Sequence, residues 1–249
     1  MKIALCLSGQ PRGLPNSFNL LKDNLIEPNN ITDIFIHNWF DSILIGKPFD
    51  SAQPCQSEKI GVWNENTEQI LKSLSPKKII LEPPKTFNEF NDLENLPHAI
   101  QTRLASAFYS AFTCNSLKKN YEQENNFIYD IVIKTRIDIN YHKKIVINNF
   151  YNDTNSIYVA DMHHSMRVND AYPTQNSGFV YSSLGDTFAL GTSKNIDVFT
   201  SIYPNFKEIY HDIWPYAYGE AYQGYVVRGK HNIPIVGTTE IAYNLYRGQ

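Results

Sequence analysis

The stretch from Ile128 to Tyr141, IYDIVIKTRIDINY, constrains this chain more than any other. Ile128, Ile131, Val132 and Ile133 form a short run rich in β-branched residues, the pattern of a strand buried on both faces. Such a strand should stay apolar, yet this one passes into Lys134, Thr135, Arg136 and Asp138. In open α/β sheets ligands bind outside the carboxyl ends of the strands, so charge gathered where a strand leaves the sheet marks a candidate site. The competing reading is an ordinary strand running out into solvated loop.

A second strand with a polar end opens the chain. Ile3 to Leu7 runs into Ser8-Gly9-Gln10-Pro11-Arg12-Gly13, a loop whose backbone N–H groups can meet a phosphate or a base, with Arg12 as a charge-assisted partner. The spacing is neither GxxxxGK[ST] nor GxGxxG, and a tight turn needing Gly and Pro explains the same residues. Phe18, Leu21 and Leu25 at helical spacing predict a crossover helix over 17–26. Asp33 to Ile36 then reads as a strand leading to His37-Asn38-Trp39-Phe40; His37 either shapes a nucleotide pocket or is a hydrogen-bonded structural residue. Residues 41–65 read as a long loop, 68–74 as a short helix, 78–81 as a strand ended by Pro83-Pro84, and 85–96 as a polar loop.

The longest helical pattern covers 99–122, with Leu104, Phe108, Ala111, Phe112 and Leu117 as its apolar stripe. Arg103, early in that helix, reaches a diphosphate or belongs to a solvated face. The β-α-β alternation through residue 141 predicts an α/β fold with a mixed, mainly parallel sheet and helices on both faces. Beyond it, 145–147, 156–159 and 178–181 read as short strands, 148–155 and 165–178 as loops, 187–190 as a strand and 194–202 as a helix. The stretch 233–236 reads as the last strand.

Composition narrows the function classes. A chain of 249 residues, 42% hydrophobic and 13% aromatic, can bury a large core in one domain. The formal net charge is -3 and no Lys/Arg run is long enough to track a nucleic-acid backbone, which argues against nucleic acid as a partner. Cys6, Cys55 and Cys114 are odd in number and widely spaced, supporting neither a disulfide framework nor a zinc site. The apolar run at the N-terminus is too short for a signal-peptide core, and no later run approaches membrane-spanning length. These features predict a cytoplasmic protein with at most peripheral membrane contact.

Taken together, IALCLSGQPRG, FIHNW, the helix with Tyr109-Ser110 and Leu117-Lys118-Lys119, YDIVIKTRIDI and DTFALGTSKNIDVF make an ordered set up to about residue 203. That set resembles bacterial and viral glycosyltransferases of the GT-A fold, the type found in capsule and lipopolysaccharide loci. The resemblance implies a single GT-A-like, Rossmann-related domain over 1–249, with a nucleotide-binding half (1–141) and an acceptor-binding half (142–249). It also implies a nucleotide-diphosphate sugar as donor, a glycan or other hydroxyl acceptor, and a role in polysaccharide biosynthesis. In that fold an Asp-x-Asp motif binds a divalent ion that bridges the donor diphosphate. Here the matching place reads Arg136-Ile137-Asp138-Ile139-Asn140, so the implied ligands of Mn²⁺ or Mg²⁺ are Asp138 and Asn140, one carboxylate and one amide.

Breaking a sugar–phosphate bond releases a highly charged nucleoside diphosphate, and stabilising that developing charge is the main electrostatic task. A hard cation on Asp138 and Asn140 can do it, as can Arg12, Arg103, Lys134 and Arg136. Ser8, Gly9, Gln10 and His37 complete the expected donor-binding set. An inverting transfer needs a carboxylate to accept the acceptor hydroxyl proton. The resemblance assigns that role to Asp186, against a capping role beside Gly185, with Asp161 and Glu220 as further candidates. His163-His164 meet the diphosphate or a metal, or face solvent. Trp214, Tyr216, Tyr218, Tyr222 and Tyr225 stack on sugar rings or fill the core. Two other classes remain: a sugar-phosphate nucleotidyltransferase, whose usual Gly-rich, Lys-containing start SGQPRG does not match, and a non-catalytic nucleotide- or glycan-binding module.

Overall fold

The computed structural model describes residues 1–14, 16–48, 63–93, 96, 98–160, 171–174, 178–181, 184–213 and 219–245. Cys55, Asp161, His163, His164, Trp214, Tyr216 and Tyr218 lie outside them. The apolar runs become strands β1 (Ile3–Gly9), β2 (Asp33–Trp39), β3 (Lys78–Glu82) and β4 (Ile131–Arg136). Between them stand α1 (Asn16–Leu21), continued by a π-helical turn over Lys22–Ile26, then α2 (Thr67–Ser73) and the 27-residue α3 (His98–Glu124). After β4 come β5 (Ile139–Tyr141), β6 (Ile157–Ala160), β7 (Ala171–Thr174), β8 (Gly178–Tyr181) and β9 (Ala189–Gly191). The chain then forms α4 (Ser193–Phe199), α5 (Phe206–Ile213), α6 (Gly219–Gly224), β10 (Ile235–Thr238) and β11 (Tyr243–Leu245).

Seven strands share one sheet in the order β10-β6-β9-β4-β1-β2-β3. β1, β2, β3 and β4 run parallel, β10 is parallel to β6, and β9 alone runs against both its neighbours. One face packs Leu5, Leu7, Ile34, Ile36 and Ile133 against Leu21 and Leu25 of the first helical segment and Leu71 of α2. The other packs Ala4, Cys6, Phe35 and Val132 against Cys114 of α3 and Ile196 and Phe199 of α4. Helices thus cover both faces, and the α/β architecture is compatible with a Rossmann-like fold. A third core gathers Trp39, Phe87, Phe90, Leu104, Phe108, Phe206 and Tyr222, joining α3 to α5 and α6. Among the described residues no helix is long and apolar enough to cross a membrane.

Several local expectations are corrected. Ile145 to Ile147 does not form a strand: the Ile145 N–H donates to the Asn24 carbonyl and the Ile147 N–H to Asn29 Oδ1, and a 3-10 turn follows over Ile147–Asn149. Ile128 lies outside β4 and is 73% exposed. The expected loop over 165–178 contains β7, which pairs antiparallel with β8. Within the expected loop over 85–96, Phe87, Phe90, Leu93 and Leu96 are buried and a 3-10 turn covers Asn88–Phe90. The strand read at 233–236 sits two residues later, and it is not the last, since β11 follows and pairs with β5.

Candidate functional site

The parallel register brings the carboxyl ends of three strands side by side. Ser8 of β1 is aligned with Arg136 of β4 on one side and His37 of β2 on the other, and Gly9 is aligned with Asn38. Gly9 has φ +111°, and a Cβ there would lie 4.0 Å from Arg136 Cγ. Glycine at this position therefore supplies a backbone conformation that other residues rarely adopt, beside the arginine side chain. The first loop and the 134–138 segment, separated by more than a hundred residues, share one end of the sheet.

Two polar groups occupy that end. The first is closed. The Gly9 N–H donates to Ser110 Oγ at 2.8 Å, Ser110 Oγ lies 2.7 Å from His37 Nδ1, and His37 Nε2 lies 2.7 Å from Glu82 Oε1. Lys85 Nζ stands 2.5 Å from the other Glu82 oxygen and donates to the Tyr109 hydroxyl at 2.6 Å. Burial drives the His37 pKa below 6.5 despite the opposing pull of Glu82. Burial also resists ionisation of Glu82, but hydrogen bonds from His37 and Lys85 outweigh it and lower the carboxyl pKa. A neutral His37 that accepts from Ser110 and donates to Glu82 pins β2, β3 and α3 together. It is fully buried.

The second group is built on β4. Alternation puts Lys134 and Arg136 on the same face of the strand. Lys134 is 4% exposed, and its Nζ donates to the backbone carbonyl of Asp186. Burial brings its pKa down to about 8, against the raising effect of Asp186. Arg136 Nε donates to Asp138 Oδ1 at 2.8 Å and Nη2 to Oδ2 at 2.6 Å. Burial opposes the Arg136 charge, yet the Asp138 carboxylate holds its pKa above the ordinary guanidinium value. The Asp138 side chain is 1% exposed and that of Arg136 22%.

Asp186, just before β9, joins this group from the second half of the chain. A Cβ on Gly219 would come within 3.2 Å of Asp186 Oδ2, so the missing side chain at the start of α6 leaves room for the carboxylate. Glu220 follows. Burial and then the charge of Asp186 push its pKa above 4.5, with Arg103 working the other way. Arg103 is itself exposed on α3 and stands within electrostatic range of Glu220. Tyr243 of β11 also feels Asp186, and its hydroxyl bonds the hydroxyl of Thr187.

The expected residues Gly9, Lys134, Arg136, Asp138 and Asp186 therefore come together, and Glu220 and Arg103 approach the same end. Ser8 is buried, with its Oγ 3.5 Å from the Thr135 carbonyl. Gln10 Oε1 is buried without a hydrogen-bond partner, as are both amide atoms of Asn38 and Oδ1 of Asn140. The backbone carbonyl of Arg12 accepts from Ser17 Oγ at 3.4 Å, tying the loop to α1. Tyr222 and Tyr225 are buried in the third core, the fate expected of space-filling aromatics. The sequence assigns no bonding role to Ser110, which belongs to the resemblance, and does not single out Glu82 or Tyr243; their partners lie 45 to 101 residues away, so no local pattern announces them. Among the described residues no group of three or more His, Cys, Asp or Glu side chains is placed to hold a metal ion.

Comparison with known proteins adds no family to this picture: no protein-family model matches the chain, and no curated protein matches its sequence.

Proposed function

We propose that this protein is a glycosyltransferase that moves a sugar from a nucleotide-diphosphate sugar to a hydroxyl of a glycan or similar acceptor, acting in the cytoplasm in polysaccharide biosynthesis. The GT-A resemblance supplies the reaction class, and one observation carries the placement: Gly9, Arg136, Lys134 and Asp186 converge where the parallel strands end. A guanidinium and an ammonium at one strand end suit a pyrophosphate, and ligands of open α/β sheets bind at this end.

In an inverting displacement the acceptor oxygen forms a bond to the anomeric carbon. The bond from that carbon to the phosphate oxygen breaks, and its electron pair leaves with the nucleoside diphosphate. Asp186 accepts the hydroxyl proton, while Arg136 and Lys134 face the charge growing on the leaving group. Glu220, beside Asp186, is a further carboxyl group at this end, after Asp138 and Asp186.

Incubating the protein with UDP-, GDP-, CDP- and dTDP-sugars and following nucleoside diphosphate release tests the reading. Release with one sugar class, lost in Asp186→Asn, is the expected result. Pyrophosphate release from a nucleoside triphosphate and a sugar phosphate would make it a nucleotidyltransferase instead. Binding with no turnover on any acceptor would make it a binding module.

A further inference from the structure

We infer that Asp138 is the positioning residue of an anion-binding arginine, and that Arg136 holds the donor diphosphate without a divalent cation. The inference rests on the glycosyl-transfer reading above and specifies how that site grips its substrate.

The residues at the expected metal position do not fit a metal. Both Asp138 oxygens already accept hydrogen bonds from Arg136, at 2.8 and 2.6 Å, and the carboxylate is almost wholly removed from solvent. A dication on either oxygen would lie beside the guanidinium, where two positive charges in a buried setting repel strongly. The second carboxylate of the expected motif is replaced by Asn140, a neutral amide whose Oδ1 is buried without a partner. Mg²⁺ and Mn²⁺ favour several oxygen ligands and usually at least one free carboxylate. One neutral oxygen and one engaged carboxylate fall short of that.

The same geometry suits an anion. A guanidinium has five N–H donors in a planar fork. Asp138 takes the Nε edge as a parallel pair, which fixes the plane of the group. The neighbouring edge, made by Nη1 and the remaining N–H of Nη2, is a second parallel pair matched to two phosphate oxygens. Holding Arg136 in place beforehand reduces the side-chain entropy lost on binding. The stem of Arg136 passes beside Gly9, where a Cβ would be 4.0 Å from its Cγ. Lys134, on the same strand face, adds a second positive charge.

The test is calorimetric titration of UDP, GDP, CDP and dTDP into the protein, once in EDTA and once in Mn²⁺. At least one of them is expected to bind in EDTA, with Mn²⁺ changing Kd less than about threefold. Arg136→Lys, which keeps the charge and loses the fork, should weaken binding about tenfold or more, and Asp138→Asn should weaken it comparably. Free guanidinium should restore binding to Arg136→Ala but not to the double variant Arg136→Ala/Asp138→Asn, a distinction that a merely structural role for Asp138 would not produce. A diphosphate that binds only with Mn²⁺ overturns the inference and leaves the glycosyl-transfer reading standing. One that binds in neither buffer overturns both.

Discussion

Two lysines are buried among the described residues, and their surroundings are opposite. Lys118 of α3 is 0% exposed and meets Asp197 at 2.8 Å, Glu122 at 3.2 Å and Ser193 Oγ at 2.5 Å. Lys134 of β4 is nearly as buried, but its Nζ is held by a backbone carbonyl, and burial lowers its pKa to about 8. Lys118 is compensated by charges that tie α3 to α4, which is what a structural ion pair requires. Lys134 keeps a desolvated charge at a strand end, beside Arg136 and Asp186. That cost fits the proposed arrival of an anion to complete the set, and a perturbed ionisable group at a strand end is a candidate functional residue.

The largest effect should come from breaking the compensated side. Lys118→Met leaves Glu122 and Asp197 without their cation and should lower unfolding free energy by about 3–5 kcal/mol, measured by denaturant titration. Lys134→Met removes a poorly solvated charge and should leave the thermal midpoint unchanged or raised, while sugar transfer falls about a hundredfold. Equal destabilisation by the two substitutions would erase the distinction between them.

A smaller loss, about 1–3 kcal/mol, is expected for Ser110→Ala, which strips the partner from the Gly9 N–H and from His37 Nδ1. Its readout is the thermal midpoint, and an unchanged value would show that this network does not fasten the first loop. The smallest effect concerns Glu220, which faces Asp186, Arg103 and Tyr243. Its pKa is higher folded than unfolded, so the native state binds more protons between the ordinary carboxyl value and the raised one. Stability should therefore fall as pH rises through that window, and Glu220→Gln should flatten the slope. An unaltered slope in the variant would assign it to another group.

The fold was legible where chemistry is local. Runs such as Ile131 to Ile133 are apolar and β-branched, so β1, β2 and β4 follow from the sequence; the apolar stripe of α3 is legible only in part, since Leu104, Phe108 and Ala111 are buried but Phe112 and Leu117 are half-buried, and Gln101, Ser110, Lys118 and Glu122 share the buried face. Ile145 and Ile147 mislead because they alternate like a strand while Asn24 and Asn29, far back in the chain, take their backbone N–H groups. The candidate site was legible in the same way. Lys134, Arg136 and Asp138 stand out because charge follows a buried run, but nothing local says whether Asp138 serves a cation or its own neighbour Arg136. That depends on a side-chain geometry, as does the approach of Gly219 to Asp186 across 33 residues.

A crystal structure with a bound nucleoside diphosphate tests the central claim most directly. The account predicts phosphate oxygens within hydrogen-bond distance of the Arg136 guanidinium and of backbone N–H groups in the first loop. Phosphates seated elsewhere, for instance in the hollow of about 210 Å³ at the opposite end of β1 lined by Ile3, Asn29 and Ile147, would contradict it.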